Sequence, residues 1–242
     1  MTASALANPV PVESAMRAAR LSTGGLFIAT ALLSFLPIAV LGPAIGWPAS
    51  LRAPAAQQLA AIGSAPDAVA LGYGIYLLYS LLVLPVMVLL ALRVSGSLAR
   101  PVAVIVVALA TLSVLARSIG ILRWLTVMPV LATQHASADP ASQQMIETVF
   151  SALTTYGGGI GEILGVSLFM ALSLGLAMAA ALSNKTLPSW LAVMGLVSAL
   201  LLLGLSLPVL GIAVQIPIAL AASLLSVWML AAGVVLALQR DR

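Results

Sequence analysis

The sequence predicts an all-α, polytopic integral membrane protein with six transmembrane helices and short amphipathic helices on one face. Three observations carry that expectation. Hydrophobic residues fill 62% of the 242 positions, charged residues only 7%, and the mean hydropathy is +1.20. A soluble domain is about half apolar and a quarter charged, so the surplus here is lipid-facing surface. Apolar runs of about 20 residues, enough to cross a hydrocarbon core about 30 Å thick, recur along the whole chain.

The first expected span runs from Gly24 to Trp47, behind a tail of residues 1–23. Its apolar stretch exceeds the roughly 7–15 residues of a signal-peptide core, so a retained helix is expected. The second span runs from Val69 to Leu92, and the third from Val102 to about Leu122 with an apolar continuation through Ala132. The fourth runs from Gly158 to Leu182, the fifth from Pro188 to about Leu210, and the sixth from Gln215 to Leu238. Pro208, Gly211 and Pro217 break the last apolar stretch without a charged loop. Residues 24–238 are therefore expected to form one transmembrane domain, followed by a tail of residues 239–242.

Basic residues in the short connections give an orientation, because they collect on the cytoplasmic side. Arg17 and Arg20, Arg93 and Arg100, Lys185, and Arg240 and Arg242 all fall on one side. Arg52, Asp67, His135, Asp139 and Glu147 fall on the other. Both termini are thus expected in the cytoplasm, with the protein in the cell membrane. The net charge of +4 follows from this topology and is no argument for nucleic-acid binding. With no cysteine, disulfides, thiolate metal sites and thiol nucleophiles are excluded.

The outer segments are the more structured ones. In "DPASQQMIETVFSALTTYGGG", Asp139 can cap a helix with Pro140 at its first position, and Met145, Ile146, Val149, Phe150 and Leu153 form one face. A lid helix over about 139–156 is expected, stopped by Tyr156 and the glycines, with a turn into the fourth span. It reads either as a lid over a site or as a helix that floats at the interface. The segment "AAQQLAAIGSAPDAVALGYGI" before the second span is a weak echo of it.

Three charges remain inside the spans. Counting about 1.5 Å per residue from the cytoplasmic ends places Arg117, Arg123 and Glu162 in one layer, near the outer edge of the core. Unpaired charge there costs several kcal/mol, so Glu162 is expected to pair with one arginine. The arginines lie six positions apart and so point about 120° away from each other, which leaves the choice of partner open. Gly157, Gly161 and Gly165 recur every fourth residue and cut a groove that another backbone can enter. Tyr73, Tyr76 and Tyr79 form a strip on the second span, with Trp124 at the same level as Arg123. Tyr73 and Trp124 suit an interfacial belt, whereas the deeper Tyr76 and Tyr79 need partners for their hydroxyls. The candidate ligand site is an outer-facing cavity lined by Tyr76, Tyr79, Arg117, Arg123, Trp124 and Glu162.

The segments "ARSIGILRWLTVMPVLA", "ETVFSALTTYGGGIGEILG" and "LPSWLAVMGLVSALLLLG" resemble the bacterial membrane proteins grouped as domain of unknown function 4386. The resemblance spans about Ala116 to Gly204, with Arg117, Arg123, Trp124, Pro129, Gly161, Glu162, Leu164 and Gly165 matching. Where those relatives carry two histidines and a glutamine, this chain has Thr154, Ile163 and Val166. The resemblance therefore implies no metal, haem or histidine acid–base chemistry, and the family name implies no activity.

No catalytic residue, metal or cofactor is expected. His135 is the one histidine, expected to be a solvated loop residue, and no nucleophile motif, phosphate loop or hydrolase carboxylate pair occurs. Two functions stand. The first is binding or movement of a small amphipathic molecule, lipid or proton, with Arg117 and Arg123 as anion anchors and Glu162 as counter-ion. The second is an accessory subunit whose buried charges clamp helices and whose small-residue stripes meet a partner membrane protein or a second copy. Membrane lipids are expected partners on either reading.

Overall fold

The computed structural model describes residues 10–95, 100–214 and 216–239. Arg240, Arg242, Gln215 and residues 1–9 lie outside them, as does the side chain of Arg100. Among the described residues no strand occurs. The helices are α1 (Val10–Leu33), α2 (Leu36–Ile45), α3 (Ala55–Ser64), α4 (Pro66–Val94) and α5 (Arg100–Leu125). After them come α6 (Val127–Ser137), α7 (Pro140–Gly158), a π-helical segment (Gly159–Phe169), α8 (Met170–Asn184), α9 (Ser189–Gly204) and α10 (Ile218–Leu238).

Five stretches are long and apolar enough to cross a membrane: Glu13–Ile45, Pro66–Val94, Pro101–Ser137, Pro140–Asn184 and Leu220–Leu238. A shorter apolar helix, Ser189–Gly204, stands beside them. The chain is a multi-pass membrane protein.

The expected first span is two helices. Pro37 has no N–H to give the carbonyl four residues back, so α1 stops at Leu33 and α2 starts afresh. The Ser34 hydroxyl, at the break, donates to Ala31 O at 2.6 Å and meets Ser226 Oγ of α10 at 2.9 Å. Gly46, in the left-handed conformation at φ +70°, closes α2. The continuation of the third span is a separate helix, α6, because the backbone turns at Thr126. The fifth span ends at Gly204 rather than Leu210, and a 3-10 turn (Leu207–Leu210) built on Pro208 follows.

The fourth span departs furthest from expectation. No turn follows Tyr156: α7, the π-helical segment and α8 form one helix of 45 residues, Pro140–Asn184. Glycines at membrane depth are tolerated in helices because the backbone groups stay paired along the helix and against neighbours. The lid is therefore the projecting end of a membrane helix.

Six helices close into a ring in which α1 packs on α4, α4 on α5, α5 on α8, α8 on α9, α9 on α10, and α10 back on α1. Its core includes Phe27, Met87, Leu90, Leu174, Met178 and Trp228. Phe27 meets Trp228 edge to face at 6.5 Å, and Trp228 Nε1 donates to Leu191 O at 3.1 Å. At the α1–α10 crossing, a Cβ on Gly24 would lie 2.5 Å from Gly233 O, so only glycine permits this approach.

A second core caps one end. Leu59 and Ile62 of α3, Met128 and Leu131 of α6, and Phe150 of α7 pack on Leu41, Ile45, Tyr73, Ile121 and Trp124. The 37-residue and 45-residue helices exceed the bilayer core of about 30 Å, and their excess length builds this cap. At the opposite end, Arg20 Nη1 donates to Gln239 O (3.4 Å) and Asn184 Nδ2 to Val94 O (2.9 Å). The ends of α4, α8 and α10 meet the middle of α1 there, together with Arg93 and Lys185.

Candidate functional site

The site lies where the ring meets the cap, and glycines determine how closely its walls approach. A Cβ on Gly120 of α5 would sit 2.7 Å from Gly161 Cα, and one on Gly161 would sit 3.0 Å from Gly120 Cα. The two backbones are therefore in contact. Gly165 opens onto Arg117 and Ser113, and the Ser113 hydroxyl donates to Gly165 O at 2.7 Å. Gly157 opens onto the Arg123 guanidinium and its stem. The expected glycine groove thus takes in α5, arginines included. Gly120 and Ser113 complete it, and a sequence signal for Gly120 was its place three residues after Arg117 on the same face.

The wall opposite is aromatic. Tyr73 stacks on Trp124 with centroids 4.9 Å apart and planes 1° from parallel. Tyr76 stacks on Tyr79 at 6.1 Å, Trp47 meets Tyr76 edge-on at 6.0 Å, and Phe150 of α7 closes on Trp124 at 6.2 Å. Trp47, which sequence reasoning passed over, comes from the loop after α2. The expected belt residues Tyr73 and Trp124 are buried inside the cap core, because the helices continue beyond them.

Both arginines point into this aromatic layer. Arg117 is 4% exposed, with its guanidinium 4.9 Å from the Tyr79 centroid and beside the Tyr76 hydroxyl. The Arg123 guanidinium lies 5.4 Å from the Trp124 centroid. Arg117 Nε and Arg123 Nε and Nη1 are buried without a hydrogen-bond partner among the described residues, as is the Tyr73 hydroxyl. Such groups cost free energy unless a partner reaches them.

The expected ion pair is not formed: Glu162 makes no salt bridge with either arginine. Its side chain stays exposed on the π-helical segment while the guanidinia turn inward over the rings. It nevertheless stays near Arg123, because Gly158, one turn earlier on the same face, packs by the Arg123 guanidinium. The Ser167 hydroxyl donates to Glu162 O at 2.9 Å and supports the widened helix at this residue. The layer is filled mainly by rings rather than by an open cavity. Tyr79 and Arg117 are buried, Tyr76 is half-buried, and Glu162 has the most open surface.

A histidine–carboxylate hydrogen bond does form in the cap. His135 is not a solvated loop residue: it belongs to α6, and its Nε2 lies 3.0 Å from Glu147 Oε1 of α7. Gln143 Nε2 donates to His135 O at 3.1 Å. Asp139 caps α7 as expected, accepting from the N–H groups of Ala141 (3.0 Å) and Ser142 (3.2 Å) and from the Ser142 hydroxyl (2.6 Å). Those bonds, the Ser142 hydroxyl first, hold its carboxyl below the ordinary aspartate range.

Searches of curated proteins and of solved structures found no match. A family model described as domain of unknown function (DUF4386) matches residues 22–233, which takes in the ring, the cap and every residue of the aromatic and charged layer. The chain belongs to the DUF4386 family.

Proposed function

We propose that this membrane protein binds a small amphipathic molecule with an anionic head, held between α4, α5 and the π-helical segment. Arg117 and Arg123 are the anion anchors, Tyr76, Tyr79 and Trp124 the walls, and Glu162 the counter-ion at the mouth. The observation that carries the reading is Arg117, a charge 4% exposed whose Nε has no acceptor. Taking such an ion out of water costs several kcal/mol, and a cation–π contact with one neutral hydroxyl beside it returns about 2–3 of that. An anion reaching the guanidinium would meet the shortfall.

Residues 24–238 are read as one domain of six helices, five long and one short, in the cell membrane. The end holding Arg20, Arg93 and Lys185 is read as cytoplasmic, so the cap and the site face outward. The accessory-subunit reading has weaker support. Its charge clamp is unformed, and α5 is held to the π-helical segment by Gly120, Gly161 and Ser113 instead.

Dodecyl phosphate titrated into detergent-purified protein tests the reading. It should raise the melting temperature in a saturable way, whereas dodecanol should not. Arg117→Gln should weaken the response about 10- to 100-fold, the worth of a charged hydrogen bond. A wild-type protein indifferent to dodecyl phosphate would sink the proposal.

A further inference from the structure

The same site carries a cation and an anion that stay apart. A Cβ on Gly158, one turn before Glu162 on the same helix face, would lie 3.7 Å from Arg123 Nη2, yet no salt bridge joins Arg123 and Glu162. Each is held off by its own surroundings. Arg123 is packed against Gly157 and Trp124, and Glu162 projects from a π-helical segment whose carbonyl at that residue is held by Ser167. Two opposite charges, one half-buried with its Nε and Nη1 unpartnered, the other open, are complementary to a ligand with the reverse pair. We infer that the head recognised here is a zwitterion, an oxyanion received by Arg123 and Arg117 and a primary ammonium received by Glu162. The inference rests on the anion-binding reading above and adds the second charge to it.

The surroundings fit an ammonium. Trp124 lies 5.4 Å from the Arg123 guanidinium and Trp47 stands edge-on to Tyr76, so the layer a cation would enter is lined by aromatic rings. A primary ammonium can donate hydrogen bonds to the carboxylate, whereas a quaternary one cannot. The chemistry is that of phosphoethanolamine, either as the head of a phospholipid or free in solution.

Nanodiscs and native mass spectrometry test this on the full chain. Wild type should retain phosphatidylethanolamine about tenfold more strongly than phosphatidylglycerol or phosphatidylcholine, as one charged hydrogen bond provides. Glu162→Gln should lose that preference, and Glu162→Asp should recover part of it. Retention of the lipid against excess soluble phosphoethanolamine assigns the head to the bilayer; displacement assigns it to the free molecule. If phosphatidylglycerol binds as well as phosphatidylethanolamine, or Glu162→Gln keeps the preference, the zwitterion inference is overturned. Dodecyl phosphate binding would then still uphold the anion reading. Failure of every amphiphile to bind overturns both.

Discussion

Arg117 shows how a single side chain separates stability from function. Its stem fills the space left by Gly165, but its charge meets only the Tyr79 ring and the Tyr76 hydroxyl, with no carboxylate in a salt bridge to it. Methionine keeps much of the stem volume and removes the ion. Arg117→Met should therefore raise the unfolding free energy of ligand-free protein by about 1–3 kcal/mol, the usual gain when a poorly compensated buried charge is replaced by a packed apolar group. The same change should abolish the dodecyl phosphate response. A lower melting temperature for Arg117→Met would mean that the guanidinium is structural. Residue counting placed this charge along α5, but it did not give its direction. Helical geometry pointed Arg117 and Arg123 about 120° apart, so that one carboxylate could serve only one of them. Arg123 has a long stem that runs against Gly157 to Trp124, so its head lies far from where its Cα points. Backbone periodicity places a Cα; it does not place the end of an arginine.

At the scale of elements, the crossing of α5 and the π-helical segment is set by Gly120 and Gly161. A methyl on Gly120 would strike backbone atoms, which cannot rotate aside. Gly120→Ala should cost about 1–3 kcal/mol, the typical penalty of overpacking, read as a drop in melting temperature. Gly159→Ala is the control, because a Cβ there meets nothing within 4 Å, and it should be neutral or stabilising by up to about 1 kcal/mol through helix propensity. Equal effects of the two would refute the close-approach argument. The glycines in "GGGIGEILG" suggested both a groove and a stop, and only the groove is real. A stop requires exposed backbone that water can satisfy, and here neighbouring helices surround it. The other end of this helix responds to acid. Bonds from Ser142 and Ala141 lower the Asp139 pKa, so its contribution is complete above the unfolded value of about 3.9 and is lost as pH falls through the lower folded value. The melting-temperature gap between wild type and Asp139→Ala should thus be constant from about pH 7 to pH 5 and close below about pH 3. A gap that persists in strong acid would show that the carboxylate is not its source.

For the whole molecule, hydropathy was enough to show a multi-pass helical protein, because every wall helix needs a lipid face, but not the order of the ring or the cap. The cap consists of membrane helices that continue past the bilayer, and hydropathy reports the apolar stretch without saying where its end is buried. Trp124 and Tyr73 illustrate this: they read as an interfacial belt and instead pack beneath Phe150 and α3. Charge proposes which end of the ring faces the cytoplasm. Arg20 of α1, Arg93 and Lys185 gather where α4, α8 and α10 end, whereas His135, Asp139 and Glu147 belong to the cap. Since the sequence has no cysteine, single cysteines report this directly. Gln144 on α7 and Ser183 near the end of α8 are both exposed and stand at opposite ends. In intact cells a membrane-impermeant maleimide should label Gln144→Cys and leave Ser183→Cys unmodified until the membrane is permeabilised. The reverse pattern would put the cap in the cytoplasm, and the aromatic and charged layer would then meet its ligand from the cell interior.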